Sequence, residues 1–409
     1  MRVLLGSGNG ARVLVTCFSL ALAAQVLAAQ IGVPEAKPPA SKAPVTTAWD
    51  PWEEQHSGIS EPLRGIHAVG NGVAWASGAH GTILRTEDSG FVWQRCPTPR
   101  GAEALDFRSI WAWDAQTAVV MSSGPGKQSR VYKTTDGGSH WRLLFTNTQD
   151  DGFFDALAFS DDKNGYILGD PTNGRLVVLR TEDGGQKWVM VPSKQLDTDG
   201  LKLGAFAASN QAMVLVGPEL GPVYVPWFGT SGASGTTGAF VYTGGLDCAG
   251  STGGAGVAHT NLRSCLNRDW SFEKHQVPMA GGSQTAGIFA LGLRPAGHQD
   301  GQPGGAVHAV AVGGDYTNPG ASEGTAAYRD AKTGNWMAAA HLPHGYRSSV
   351  AWDAEDNAWI AVGPNGSDVS YDDGQTWRPI GNDGYNAISL PWVVGPDGHI
   401  AKLKSLKGK

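Results

Sequence analysis

Charged residues are scarce in this chain and form no basic stripe. Of 409 residues only 17% are charged, and the formal net charge is -6. Proteins that bind a polyphosphate backbone carry clustered Lys and Arg. The composition therefore argues against nucleic acid as a partner.

Cysteine and histidine motifs are also sparse. The chain has four Cys and eleven scattered His, and it contains no H-E-x-x-H sequence, so we expect neither a metal nor a cofactor. Cys248 and Cys265 bracket one Gly-rich stretch, where they either form a disulfide that closes the loop or stay reduced. Cys96 has no neighbouring His to activate it, and we interpret it as a structural residue.

Long apolar runs are absent except at the N-terminus. Arg2 and Arg12 precede an apolar run, residues 13–29, that ends in small residues, the layout of a secretory signal peptide. A membrane anchor is the alternative, but a span needs about 20 apolar residues and this run contains Thr16. We predict a signal peptide over residues 1–29, and hence a periplasmic or secreted protein.

The next segment, residues 30–47, is rich in Pro, Ala and Lys. It has no apolar period, which predicts a disordered linker. Residues 48–409 then form a single domain.

Export is tested by N-terminal sequencing of the chain recovered from the envelope or medium of a secretion-competent host. Cleavage after Ala28 or Ala29 is expected, because small residues end the apolar run there. A recovered chain that still begins with Met1 would contradict the signal peptide.

Glycine and tryptophan, in contrast, are abundant, with 58 Gly and 15 Trp. This much Gly without a collagen-like period predicts many short strands joined by tight turns and disfavours long helices. The chain is therefore expected to be all-β.

Four segments share the pattern S/T-x-D-x-G-x-x-W, each between two strand-like stretches. In a hairpin turn the Asp accepts backbone N–H groups, the Gly supplies a positive φ, and the Trp packs on the neighbouring sheet. This is the Asp-box of BNR-type propellers, which occurs in hydrolases, binding proteins and assembly factors alike. Its residues here are Asp88, Gly90, Trp93, Asp136, Gly138, Trp141, Asp183, Gly185, Trp188, Asp372, Gly374 and Trp377.

A second repeated pattern gives the number of structural units in the chain. Seven short segments begin with an apolar or aromatic residue and lead to a strand that ends in Gly; they start at Leu63, Phe107, Phe154, Leu203, Ala286, Tyr346 and Tyr385. The last unit is too short for four strands, so residues 49–56 are predicted to complete it and close the ring. The sequence therefore predicts a seven-bladed β-propeller.

Strand alternation places the start of each innermost strand and the end of each second strand on one face, which we call the front. Charged and polar residues there are interpreted as a site for a charged peptide segment or an anionic group; the alternative is that they pair with each other across blades. These residues are Arg64, Arg108, Asp155, Asp170, Asp315, Arg347 and Asn386.

Two long stretches, residues 217–238 and 313–324, are expected to be front-face loops. Their aromatic residues either contact a partner or pack down onto the propeller. They are Tyr224, Trp227, Phe228 and Tyr316.

The repeat order, the four turns, the Tyr346-Arg347-Ser348 segment and residues 393–401 together resemble the photosystem II stability/assembly factor-like family. The resemblance covers the chain from about residue 49 onward. It implies an exported, cofactor-free scaffold that contacts client proteins through Arg64, Arg108 and Arg347. We expect a monomer that meets a membrane only through a membrane-protein client.

The rival function is a sialidase-like or other BNR-repeat glycoside hydrolase, with carbohydrate as the partner. Asp155 and Asp170 are the paired carboxylates that such chemistry would use. No Tyr-Glu pair of the sialidase kind is evident on the front face, so the scaffold is the favoured prediction.

Overall fold

The computed structural model describes residues 50–217, 224–246, 270–294 and 307–406. Within these ranges the chain forms seven antiparallel sheets of four strands each, and none of the helices there has the length and apolarity needed to cross a bilayer. The predicted signal peptide (1–29), the predicted linker (30–47), Cys248 and Cys265 lie outside the described residues.

Each sheet is one blade, and blades one to six take four consecutive strands. Blade one is β2 Leu63–Gly70, β3 Val73–Gly78, β4 Ile83–Thr86 and β5 Gln94–Arg95. Blade two is β6 Phe107–Ala112, β7 Ala118–Ser122, β8 Arg130–Thr134 and β9 Arg142–Thr146. Blade three is β10 Phe154–Phe159, β11 Gly165–Thr172, β12 Arg175–Thr181 and β13 Val189–Met190.

Blades four to six follow the same order. Blade four is β14 Met213–Val216, β15 Val225–Gly229, β16 Ala239–Leu246 and β17 Trp270–Val277. Blade five is β18 Ala286–Arg294, β19 His308–Asp315, β20 Ala326–Arg329 and β21 Trp336–Ala338. Blade six is β22 Ser349–Asp353, β23 Ala358–Gly363, β24 Gly366–Ser370 and β25 Arg378–Gly381. Short 3-10 helices lie at Gly126–Gln128, Lys194–Leu196, Asn210–Ala212 and Pro396–Gly398.

Blade seven closes the ring with strands from both ends of the domain. It contains β26 Ala387–Ser389, β27 Trp392–Val394 and β28 Ile400–Leu403, and its outer strand is β1 Trp52–Gln55, paired antiparallel with β28. The Gln55 side-chain oxygen accepts hydrogen bonds from the Trp93 and Trp392 indoles at 3.0 and 3.1 Å, which joins blade one to blade seven. The predicted seven-bladed, ring-closed propeller is confirmed.

The core consists of the apolar layers between neighbouring blades. Leu63, Ile66 and Leu84 of blade one, for example, pack against Trp392 and Ile400 of blade seven, and all five are buried. Burial of apolar surface stabilises by roughly 25 cal/mol per Å², and each blade obtains it only from its neighbours. The ring therefore folds as one unit.

The four repeated turns join third to fourth strands and have the same hydrogen bonds. In the first, Thr86 Oγ1 donates to Asp88 Oδ1 at 2.8 Å and accepts from Gly90 N at 3.0 Å, while Asp88 Oδ1 also accepts from Val92 N. The glycines at this position all have positive φ, between 82° and 90°. They are Gly90, Gly138, Gly185 and Gly374.

Blade four departs from the prediction by one strand. Residues 203–206 form no strand; the innermost strand is β14, and β15 lies inside the stretch 217–238 that was predicted to be a loop. Trp227 and Phe228 are consequently strand residues, and Phe228 is fully buried. The prediction was wrong because Val214–Val216 followed by Gly resembles the end of a second strand.

Candidate functional site

β-bulges mark the same position at the front of four innermost strands. The strand register shifts at Arg64 in β2, at Arg108 in β6, at Asp155 in β10 and at Phe289 in β18. A bulge leaves one residue out of the ladder and re-aims its side chain. Two predicted arginines and one predicted aspartate therefore occupy equivalent places around the channel mouth.

Arg108 is held in place by two contacts at this mouth. Its Nε donates to Asp106 Oδ2 at 2.8 Å, and its Nη1 donates to the backbone oxygen of Ala207 at 3.2 Å. Only 9% of the residue is exposed. Arg108 thus tethers a segment that precedes blade four.

Asp155 and Asp170 are brought together in blade three. Asp155 is buried, which raises its pKa; the charge of Asp170 raises it further, and Arg108 lowers it. Asp170 Oδ1 accepts a hydrogen bond from Ala205 N at 2.9 Å, and burial raises the pKa of Asp170 despite this bond. The charge of Asp170 thus disfavours ionisation of the Asp155 carboxyl group.

Residues 203–212, which we call the plug, bridge blades across the central channel. Asn210 makes two hydrogen bonds to the backbone of Ile110 in blade two, with distances of 3.2 and 2.6 Å. Gln211 donates to Ile388 O in blade seven and accepts from Ser349 Oγ in blade six, both at 2.9 Å. One short segment thereby links blade four to three other blades.

An aromatic cluster lies beside the plug at the front. Phe206 of the plug stacks on Phe289 with ring centroids 3.6 Å apart, and Phe289 also meets the edges of Tyr346 and Tyr316. Burial raises the pKa of Tyr346, while the nearby Arg64 charge lowers it. Arg64 therefore lies close to this cluster.

Arg347 does not lie at the mouth, contrary to prediction. Its backbone N–H donates to Gly313 O, just as Leu63 N donates to Gly395 O and Tyr385 N to Gly363 O. Arg347 is thus equivalent to these buried residues. A shift of one residue along an extended chain turns the side chain to the opposite side.

The Arg347 side chain is fully buried within blade six. Its Nε donates to Asp368 Oδ2 at 2.7 Å, its Nη1 donates to Asn365 Oδ1 at 2.6 Å, and His344 also contacts the guanidinium. A buried charge needs such partners. Arg347 is therefore a structural ion-pair residue, and its predicted place on the binding face is wrong.

The two other predicted residues have local partners. Asn386 Nδ2 donates to Leu63 O at 2.8 Å and ties blade seven to blade one. Asp315 Oδ1 accepts from the backbone and hydroxyl of Thr317 within its own loop. Neither residue makes a described contact with the Asp155 and Asp170 carboxyl groups.

Sequence reasoning missed Asp106, Phe289 and the plug. Asp106 stands two residues before Arg108, a spacing that puts both side chains on one side of an extended chain. The sequence signal for the plug was the irregular spacing between the starts of the repeated segments at blade four. Within the part of the chain that the structure describes, no group of three His, Cys, Asp or Glu side chains is arranged to hold a metal ion.

Comparison with known proteins finds the fold only in solved structures. No protein-family model and no curated protein sequence matches the chain. The structure of YCF48 bound to D1 peptide is similar with a TM-score of 0.52, at 15% identity over 87% of this chain and 98% of that chain. YCF48 from Cyanidioschyzon merolae gives a TM-score of 0.50 and 17% identity over 86% and 98% of the two chains.

A GH74 enzyme from Niastella koreensis is similar to the same degree. Its TM-score is 0.51, at 14% identity over 87% of this chain and 54% of the enzyme chain. At these identities the likenesses establish the fold and nothing more. The chain is a seven-bladed propeller with a plugged channel and a charged, aromatic front mouth.

Replacing Asp155 with Asn is expected to stabilise the protein at neutral pH. The folded state raises the pKa of this carboxyl. The contribution of Asp155 to the free energy of unfolding is therefore fully present below the unfolded-state pKa of about 4, and it is lost as the pH rises through the folded-state pKa. The amide keeps the shape and removes the ionisable group. The free energy of unfolding by urea should rise by about 1 kcal/mol at neutral pH and change little at about pH 3.5.

Equal effects of Asp155→Asn at both pH values would contradict a buried, proton-retaining carboxyl. Glu355→Gln, on an exposed hairpin at the back, is the control and should change stability little at either pH.

Proposed function

We propose that the protein is an exported, non-enzymatic propeller scaffold, resembling the photosystem II stability/assembly factor-like proteins, that binds a segment of a client protein at the front mouth. The observation that carries this proposal is the composition of that mouth. The half-exposed Tyr316 borders the aromatic cluster, and Asp106 and Asp170 remain partly exposed beside it. Aromatic anchors next to charged groups suit recognition of an extended polypeptide.

The solved relatives give a precedent for this type of binding. YCF48, which has the same fold, has been solved with a D1 peptide bound. The arginine-bearing part of the face is smaller than the sequence predicts, since Arg347 is buried and Arg108 is bonded to Asp106 and Ala207. The client is therefore expected to contact the mouth mainly through aromatic and acidic groups.

Glycoside hydrolysis is the alternative function for the same residues. A carboxyl with raised pKa next to a second carboxyl is the pairing that an acid catalyst needs. Only 1% of Asp155 is exposed, however, and the Gly204–Ala205 backbone covers Asp170. A sugar would have to displace the plug to reach both groups.

The scaffold proposal is tested with a photo-crosslinking phenylalanine analogue placed at Tyr316. Ultraviolet irradiation in the native envelope should yield one or a few discrete adducts, because Tyr316 lies at the front mouth and keeps an aromatic ring there. The matched control carries the same analogue at Tyr371, an exposed tyrosine in a back-face turn. It should give no such adduct.

Adducts at Tyr371 but not at Tyr316 would overturn the front-face assignment. Release of sugar from aryl glycosides by the purified mature protein, abolished by Asp170→Asn, would instead establish the hydrolase.

A further inference from the structure

Blades two and three enclose a cavity of about 90 Å³ between them, which we call the apolar pocket. One wall comes from β9, the outer strand of blade two, and the other from β10, β12 and β13 of blade three. The rings of Phe145 and Phe154, one from each blade, stack with their centroids 5.9 Å apart. The apolar side chains that line the pocket are Phe145, Phe153, Phe154, Val177, Leu179 and Met190.

The apolar pocket is open to solvent at its edge. Met190, in the outer strand of blade three, is 44% exposed, and Thr148 and Gln149 are exposed at the same edge. Phe145 and Phe153 are only half-buried. Ligand sites are concave and mostly apolar, with a few polar groups that fix orientation, and the apolar pocket has this composition.

The loop that forms the edge, residues 147–153, is fixed to both blades by backbone hydrogen bonds. Gly152 O accepts from Gly126 N of blade two at 2.8 Å, and Phe153 O accepts from Asp170 N of blade three at 3.0 Å. The pocket is therefore preformed, which lowers the ordering cost of binding. Because Asp170 belongs to the front mouth, the pocket lies beside the surface to which we assign the client.

Two carboxylates stand on the same loop. Asp150 and Asp151 are exposed, and they follow Gln149 and precede Gly152, which both line the pocket. Among the described residues neither aspartate takes part in a salt bridge. Unpaired carboxylates beside an apolar pocket are complementary to an apolar residue that has a basic neighbour.

We propose that the apolar pocket binds one aliphatic side chain of the client segment, Leu or Ile, whose neighbour in the client sequence is Lys or Arg and faces Asp150 and Asp151. A cavity of roughly 150 Å³ holds a benzene ring, so the smaller volume here suits an aliphatic side chain and excludes an indole. This inference rests on the proposed function and names the side chains that the client presents to the edge of the front.

The test is a titration of the mature protein, labelled with ¹³C in its methionine methyl groups, with the hexapeptide Gly-Gly-Leu-Lys-Gly-Gly. The NMR signal of the Met190 methyl group should shift, because this side chain lines the pocket. Met337 is the matched control, since it is 46% exposed on the outer strand of blade five and is not part of the pocket. Its signal should stay in place.

Peptide variants test the two parts of the specificity. Replacing the peptide's Leu with Ala or Trp should weaken binding about tenfold, because Ala leaves the pocket unfilled and Trp exceeds its volume. Replacing the peptide's Lys with Glu should weaken binding about threefold. The double variant Asp150→Asn, Asp151→Asn should remove this difference between Lys and Glu. The double variant Glu53→Gln, Glu355→Gln, which removes two exposed charges elsewhere, should keep it.

Two protein variants block the pocket in different ways. Val177→Phe fills the cavity from its wall, and Thr148→Trp places a ring over the entrance from an exposed position. Both should abolish the Met190 shift. Overpacking of a core is destabilising, so thermal unfolding checks the fold of Val177→Phe, and the surface variant Thr148→Trp provides the same test without a change in the core.

Equal affinity for the Leu and Ala peptides would overturn the proposal, as would equal shifts of Met190 and Met337 or a Met190 shift that survives both blocking variants. A Met190 shift that grows with protein concentration in the absence of peptide would assign the pocket to a second copy of the chain and also overturn it. The proposed function fails separately: adducts at Tyr316 with an unresponsive Met190 would leave the scaffold standing and remove the pocket alone.

Discussion

The pairing of β1 with β28 is the contact on which the rest of the structure depends. Each blade buries its apolar faces only against its two neighbours, so an open row of seven blades would leave two faces and two strand edges exposed. Trp52–Gln55 supplies the fourth strand of blade seven, and Gln55 bonds a tryptophan on either side of the closure. Plug contacts to blades two, six and seven require these blades to stand around one closed channel.

The plug determines which groups are held in place at the front face. Through Asn210 and Gln211 it ties the inner strands of blades two and seven together. Through Ala205 and Ala207 it fixes Asp170 and Arg108. The plug thus closes the channel at the front, and charged and aromatic side chains surround it. Such a surface suits a polypeptide segment lying across it.

Much of the fold could be predicted because it repeats. The four S/T-x-D-x-G-x-x-W turns, the Gly-ending second strands and the short last unit fixed seven blades and the ring closure. The strands of blade four were predicted wrongly because the plug precedes them. The plug makes its hydrogen bonds with other blades, and such distant partners leave no periodic pattern in the sequence. Arg347 was misplaced because one residue of register decides whether a side chain faces the mouth or the core, and the neighbouring aromatic residue concealed that shift.

The proposed binding of a client segment at the front mouth of the closed ring is tested most directly by hydrogen–deuterium exchange. The mature protein is measured alone and with the client recovered by cross-linking. With the client bound, exchange should be slower in residues 203–209 and 315–325 at the front and unchanged in the back-face turns at residues 134–141 and 370–376. Protection confined to those back-face turns would contradict it.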